Sequence, residues 1–264
     1  MRLLQATLIA VFSCTIVSDA NAQQRVVDCS QDHALCDLEN IKTIDEEWNN
    51  TVLRHCRISN KRTGIVIRNV QNFTLERCVI ENISKGSGIY MNPMHPSQNV
   101  TLMGNTLRNI AKNGIAAPEN SVSHLTIDSN ILVDVATKGR RGLHHGIYIQ
   151  TPASRIVDNQ ITRVHDGNGI AIRSSGEVSG NVIRDTGKSG VGYFNDHPAP
   201  RPSILAISGN TISGYGQRAS GRAGIEVLTN SPRHLVIDRI LIENNLVAGA
   251  NPVNCNDHKD CTVR

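Results

Sequence analysis

Large aromatic side chains are scarce in this chain: one Trp, three Phe and four Tyr make up 3% of 264 residues. That scarcity disfavours a globular core built on rings and suits many short strands closed by turns. No dense run of Lys or Arg occurs, and the net charge is only +4. Nucleic acid is therefore not the expected partner, because such binders carry a basic stripe. No CxxC spacing appears among the cysteines, which argues against a zinc site, so no metal or cofactor is expected. Nothing after residue 22 is long and apolar enough to span a bilayer.

What precedes residue 22 reads as a secretory signal. Arg2 supplies the positive start, Leu3–Val11 is a short apolar stretch, and Ala20-Asn21-Ala22 matches a small-residue cleavage site. A secreted or periplasmic location follows, and cleavage would remove Cys14 and leave six of the seven cysteines. An even number in an exported chain suits disulfides. The alternative, a lipid on Cys14, requires Val11-Phe12-Ser13-Cys14 to act as a lipobox, which the bulky Phe12 opposes.

The strongest signal is a repeat. A Gly-led apolar tetrad recurs as GIVI at Gly64, GIYM at Gly88, GIAA at Gly114, GIYI at Gly146, GIAI at Gly169, GVGY at Gly190 and GIEV at Gly224. Between them run LERCVI, LMGNTL, IDSNIL, IVDNQI, VSGNVI, ISGNTI and LIENNL, beginning at Leu75, Leu102, Ile127, Ile156, Val178, Ile207 and Leu241. LRHCRI at Leu53 fits as an earlier member. The first and last columns are aliphatic throughout, and the fourth reads Cys56, Cys78, Asn105, Asn130, Asn159, Asn181, Asn210 and Asn244.

Apolar residues at spacing two belong to strands, and a repeat of 21–34 residues means stacked coils. Coils about 4.8 Å apart place equivalent residues on top of one another. The aliphatic columns then form internal stacks, and the Asn column an internal ladder of amides. Asn also tolerates the left-handed backbone of a tight bend. Cys56 and Cys78 share the ladder column in adjacent coils, within disulfide reach. Cys29 with Cys36, and Cys255 with Cys261, are spaced as local clips at the two ends.

This pattern resembles the pectate-lyase-like superfamily of right-handed β-helices, particularly its short-repeat members, over about residues 53–250. The expected fold is all-β, a single-stranded right-handed parallel β-helix of about eight coils with an internal Asn ladder. Residues 1–22 would be the signal peptide, 23–52 an N-terminal cap holding Trp48, and 251–264 a disulfide-clipped tail. The scaffold carries many functions, so the resemblance defines no chemistry.

The Gly-led strand is the expected working surface. Its outward positions include Tyr90, Asn92, Tyr148, Gln150 and Arg173, and long insertions at Thr137–His145, 195–202 and Gly214–Ala223 flank it. Arg140, Arg141, Arg201, Arg218 and Arg222 lie in those insertions. Long loops on one side of a solenoid mark its binding face, and Arg pairs well with carboxylates. An acidic, uronate-containing polysaccharide is therefore the expected ligand of a monomer.

Proton removal beside a uronate carboxylate needs a neutraliser, a base and often an acid. Tyr148, His144 and Arg173 offer these types, with Tyr90, Asn92, Gln150, Arg141, Asp196, His197 and Arg222 as substrate contacts. Arg173 should stack on Gln150 and lie diagonal to Tyr148. An extended chain would hold His144 about 13 Å from Tyr148, so His144 serves only if its loop curls back. Asn92-Pro93-Met94-His95 resembles faintly the Asp-Pro-His-Asp element of mannuronan C5-epimerases, which implies at most His95 as base. Both acidic positions are absent. No Asp cluster of a calcium-dependent pectate lyase, and no carboxylate pair of a polygalacturonase, is present.

Three functions compete on these residues. One is β-elimination or C5 epimerisation of an acidic polysaccharide. The second is non-catalytic carbohydrate binding or an envelope structural role. The third is an accessory factor with a His/Met metal site at Met91, Met94 and His95. Asn-x-Ser/Thr sequences at Asn49, Asn72, Asn82 and Asn99 arise in part from the repeat itself.

Overall fold

The computed structural model describes residues 24–30, 43–194, 203–228, 237–255 and 261–264. The proposed signal peptide, Cys36, Asp196, His197 and Arg201 lie outside the described residues. Each complete coil among the described residues contributes one short strand to each of three sheets, and every pairing between neighbouring strands is parallel. Among the described residues, sheet A has ten strands from Arg25–Asp28 to Cys261–Val263. Sheet C has eight, from Arg57–Ser59 to Leu246–Ala248. Sheet B, which takes up all seven Gly-led tetrads, has nine among the described residues, from Thr43–Ile44 to Val253–Asn254. The chain runs from A to C to B in each turn, giving about eight turns of an all-β solenoid.

Alternation sets the inside of this tube. Leu75, Leu102, Ile127, Ile156, Val178 and Ile207 pair in one row along sheet A, and each is fully buried. Ile80, Leu107, Leu132, Ile161, Ile183 and Ile212 form the matching row of sheet C. The Gly that opens each sheet B strand is needed for closeness. A Cβ on Gly114 would lie 2.6 Å from both the Gly146 carbonyl oxygen and a Leu132 methyl carbon, so no side chain fits the column.

The ladder stands at the bend from sheet A to sheet C. The Cys78 N–H donates to Asn105 Oδ1, and the Asn105, Asn130, Asn159 and Asn181 N–H groups each donate to the ladder Oδ1 of the next coil. Each buried amide also returns a bond to a sheet A carbonyl, as Asn105 Nδ2 does to Leu75 O at 2.9 Å. The ladder residues do not supply the left-handed turn, contrary to expectation. That falls to the residue before each of them: His55, Arg77, Gly104, Ser129, Asp158, Gly180, Gly209 and Asn244, all at φ between 50 and 66. The ladder side chain must point inward, so its own backbone keeps an ordinary conformation and the bend is taken one residue earlier.

The last coil corrects the expected alignment. Ile207 pairs with Ile242 and Ile212 with Val247, one residue beyond Leu241 and Leu246. Asn210 donates to Asn245, not Asn244. Asn244 takes the left-handed position at φ 56, and Leu246 is 69% exposed. Consecutive asparagines satisfied both roles, and hydrogen bonding chose the second for the ladder.

Cys56 and Cys78 are disulfide-bonded with their Cα atoms 4.5 Å apart, and Cys255 bonds Cys261. Cys29 is also disulfide-bonded. The Cys56 N–H donates to Cys78 Sγ at 3.1 Å, so sulfur takes the acceptor place that Asn fills further on. The Cys56–Cys78 bridge closes a separation of 22 residues. By loop-closure entropy its removal in a Cys56→Ala/Cys78→Ala variant should cost about 3 kcal/mol. Urea unfolding checks this, and an unchanged midpoint would show that the unfolded chain is not constrained there.

Asn72, Asn82 and Asn99 have their side-chain amides committed outside the tube. Asn72 donates to Asn50, Asn99 to Asn72 and Asn82 to Asn60, forming two exterior ladders at left-handed positions. Trp48 packs edge-on against Phe73 at 6.4 Å, with the Arg25 guanidinium 5.7 Å from its ring centre. It packs there on the sheet A strand Gln71–Glu76. Among the described residues no helix is long and apolar enough to cross a membrane.

Candidate functional site

Sheet B presents one outward row in the register Val66, Tyr90, Ala116, Tyr148, Ala171, Gly192, Glu226, Asn254. The row is not uniformly open. Ala116, Ala171 and Glu226 are each at most 4% exposed, whereas Tyr90 and Tyr148 are half-buried. Small side chains between and beyond two phenols produce relief on a sheet that would otherwise be flat.

Tyr90 and Tyr148 stand two rungs apart, about 10 Å, with Ala116 as the floor between them. A cavity of about 330 Å³ opens there, lined by both tyrosines, Ala116, Pro118, Val66, Lys112, Asn113 and His144 among others. A larger hollow of about 560 Å³ lies at the corner between sheets B and A, but His124 is its sole ionisable lining residue. The smaller cavity has the denser chemistry.

His144 reaches this cavity because its loop curls back. The Asp166 carboxylate, fully buried one coil on, accepts the N–H groups of Gly142, Leu143 and His144 at 2.9, 3.0 and 3.1 Å. Burial and the nearby Lys112 ammonium hold the His144 imidazole below its ordinary pKa, against an opposing pull from Asp166. It is neutral at neutral pH, and its buried Nδ1 makes no hydrogen bond. Lys112 is exposed and has no ion pair among the described residues.

His145 is structural. Its Nδ1 accepts the Asn168 N–H at 3.0 Å, its N–H donates to Asn113 Oδ1, and its ring stacks on Tyr148 at 5.4 Å between centres. Arg173 is diagonal to Tyr148, as the register required, with its guanidinium 5.3 Å from the Tyr148 ring and 4.8 Å from Phe194. Stacked contacts thus continue from His145 through Tyr148 and Arg173 to Phe194. These contacts fix the Tyr148 ring, while Tyr90 has no aromatic or cation partner among the described residues.

Other expected contacts are placed elsewhere. Asn92 Oδ1 accepts the Met94 N–H in a turn, and Gln150 Oε1 accepts the Glu119 N–H; neither residue lines the cavity. His95 is exposed in that turn, where its carbonyl accepts the Asn69 N–H, and it does not meet Tyr148. Met91 points inward and is fully buried while Met94 is 79% exposed, so the pair forms no metal site with His95. No group of three metal-ligating side chains exists among the described residues. Arg222 is committed to Glu226 at 2.8 Å, and Arg218 lies 3.4 Å from Asp166. Arg140 and Arg141 are exposed without an ion pair among the described residues.

Lys112 and Asp166 were not singled out from sequence. One signal was available: Lys112 and Lys188 each precede a repeat Gly by two positions, which places both at the corner entering sheet B.

A parallel β-solenoid with an open, Tyr-lined sheet face defines the class of protein. The chain belongs to the right-handed β-helix family, whose pattern, the right handed beta helix region, matches residues 10–142. No curated protein matches its sequence. Among solved structures it is similar to a mutant of the periplasmic alginate epimerase AlgG, with 12% identity and a TM-score of 0.44 over 82% of this chain and 47% of that one. It is also similar to the catalytic unit of a GH87 α-1,3-glucanase from Streptomyces thermodiastaticus strain HF3-3, with 13% identity and a TM-score of 0.35 over 81% and 50%. A third likeness is to QnrB1, a plasmid-mediated fluoroquinolone resistance protein, with 8% identity and a TM-score of 0.26 over 78% and 92%. The chain spans about half the length of the first two. These likenesses carry no argument about chemistry.

Proposed function

We propose that this protein is exported and that its sheet B face binds an acidic polysaccharide, with the Tyr90–Ala116–Tyr148 cavity as the central subsite. The observation that carries the reading is the composition of that cavity: two phenols around an alanine floor, with an unpaired cation and a neutral imidazole at its edge. A sugar ring has an apolar face that packs on an aromatic ring, and Tyr90 offers such a surface. Lys112 supplies a charge for a uronate carboxylate, and the exposed Arg140 and Arg141 extend the positive rim.

The catalytic form of this reading is favoured by one observation, the neutral His144 beside Tyr148. Neutralising a uronate carboxylate acidifies its C5 proton, and a neutral imidazole can take that proton. Return of a proton from the other ring face would epimerise the sugar; loss of the 4-linked oxygen would be β-elimination. Lys112, rather than Arg173, is the neutraliser, because the Arg173 guanidinium is engaged by the Tyr148 and Phe194 rings.

Calorimetry with oligouronates and a neutral glucan of equal length tests binding. The wild type should prefer the uronates, and Tyr90→Ala and Lys112→Ala should each weaken them about tenfold, roughly 1.4 kcal/mol. Equal binding of the neutral glucan would eliminate the acidic ligand. Exchange of the C5 proton with deuterated solvent, or unsaturated products, would establish catalysis, and either should vanish in His144→Gln. Binding with neither outcome selects the non-catalytic role.

A further inference from the structure

A loop of nine residues, Thr137–His145, enters sheet B at Gly146. Loops of that length on a solenoid are ordinarily pliable, yet this one is anchored from three coils. Asn113 of the preceding coil accepts the His145 N–H. Lys188, two coils on, donates to the Gly142 carbonyl at 3.2 Å. Between them, the Asp166 side chain is enclosed within the loop. Three successive N–H groups converge on its two oxygens, 2.9–3.1 Å away. Arg141 and Gly142 adopt left-handed backbone at φ 67 and 70, which turns those N–H groups to one side. Gly139 lies so close that a Cβ there would fall 2.3 Å from the Asp166 Cβ.

Consecutive backbone N–H groups turned to one side form an anion-binding nest. Here the anion is the protein's own carboxylate, and the last N–H of the nest belongs to His144. We propose that Asp166 is the positioning residue of the cavity: its carboxylate fills the nest of the Gly139–His144 loop and thereby seats the His144 imidazole beside Tyr148. The proposal rests on the reading of His144 as a working member of the groove, but its structural content stands apart from the ligand.

The seat has an electrical consequence as well as a geometric one. Burial lowers the His144 pKa most; of the charged groups acting on it, Lys112 from the preceding coil adds to that effect and Asp166 from the following one opposes it. Release of the loop would expose the imidazole and move it from Lys112. Loss of the Asp166 charge without release would do the reverse and depress the imidazole further.

Asp166→Asn separates these outcomes, because an amide keeps the size but puts an NH2 donor against N–H donors. NMR titration of His144, assigned by its disappearance in His144→Gln, should show the midpoint rising towards the ordinary histidine value in Asp166→Asn. Binding of a hexauronate should weaken about tenfold. A midpoint that falls further, or does not move, overturns the proposal. Gly142→Ala keeps the carboxylate and disfavours the left-handed turn of the nest, so it should raise the midpoint in the same way. Amide exchange of the unaltered protein needs no variant: the N–H groups of residues 142–144 should be protected like those of sheet B, and exchange at exposed-loop rates would overturn the proposal. If the wild type binds no uronate while the midpoint shifts as expected, the groove reading fails and the positioning role of Asp166 remains.

Discussion

Replacing Asn159 by Ala should destabilise the protein by about 4 kcal/mol, while the same change at Asn245 should cost about 1 kcal/mol. Both residues belong to one ladder, but their surroundings differ. Asn159 is fully buried in the middle of the tube. Its Oδ1 accepts the Asn130 N–H and the Asn130 amide, and its Nδ2 donates to the carbonyls of Ile127 and Val157. Truncation therefore takes the acceptor from the Asn130 N–H and from the Asn130 side-chain amide where water cannot reach them, and each stranded group costs about 1–3 kcal/mol. A small cavity adds to that. Asn245 makes equivalent bonds to Ile207, Glu243 and Asn210, but it is only part-buried at the last described coil, where water can replace them. Urea unfolding of both variants measures the contrast. In a solenoid each coil holds only its neighbours, so Asn159→Ala should also broaden the transition as the two halves lose cooperativity. Equal costs at the two positions would show that the ladder contributes through something other than buried hydrogen bonding.

The second large effect is a loss of stability on mild acidification, and it comes from His145. Burial holds its pKa at about 3, well below the ordinary 6.5, with the positive charges of Arg173 and Lys188 acting in the same direction. The folded-state value is the lower one, so the unfolded chain takes up a proton first as pH falls. The full stability contribution is present above pH 6.5 and is lost progressively down to about pH 3. The complete loss would approach about 5 kcal/mol, with a slope near 1.4 kcal/mol per pH unit. His144 adds a smaller effect of the same sign. The carboxylates of Asp28, Glu81 and Asp134 are held below their ordinary values by His55, Arg108 and Arg163 respectively. They act in the same sense, but only below about pH 4.5, where unfolded carboxylates begin to protonate. The window from pH 6.5 to 4.5 therefore isolates the histidines. His145→Gln should flatten the stability profile across it, since Gln can accept the Asn168 N–H without titrating. A wild-type profile already flat there would mean that His145 is not enclosed as described.

Much of this fold is legible in the sequence. Three features recur at each coil: an aliphatic residue, a polar residue three on, and another aliphatic residue two beyond that. Only a tube with an inside and an outside makes such columns consistent, and Cys56 and Cys78 fell into disulfide contact for the same reason. The diagonal contact of Arg173 with Tyr148 was also legible, because neighbouring parallel strands leave one register that keeps their isoleucines inside. Legibility ended where the pattern became degenerate. Asn244 and Asn245 both suit the ladder by residue type, and the choice depended on which one met Asn210.

The candidate site divides the same way. Tyr90, Ala116 and Tyr148 share a row because strand periodicity dictates it. His144 could be placed only by the fold, because its position depends on a carboxylate 22 residues further on in the next coil. Lys112 likewise drew no notice as a lone lysine in a corner, and it gains a role only where it lines the same cavity as His144.

The loops removed several expected contacts from the face. Arg222 turned to Glu226, and His95 and Asn92 became parts of a turn. The sequence by itself determined the tube, its interior columns and the strand that faces outward, since a period of two and a stacking distance leave little freedom. The tertiary structure alone decided where the insertions return and which polar groups they meet. A loop's path is set by long-range hydrogen bonds such as those of Asp166, and no local periodicity encodes them.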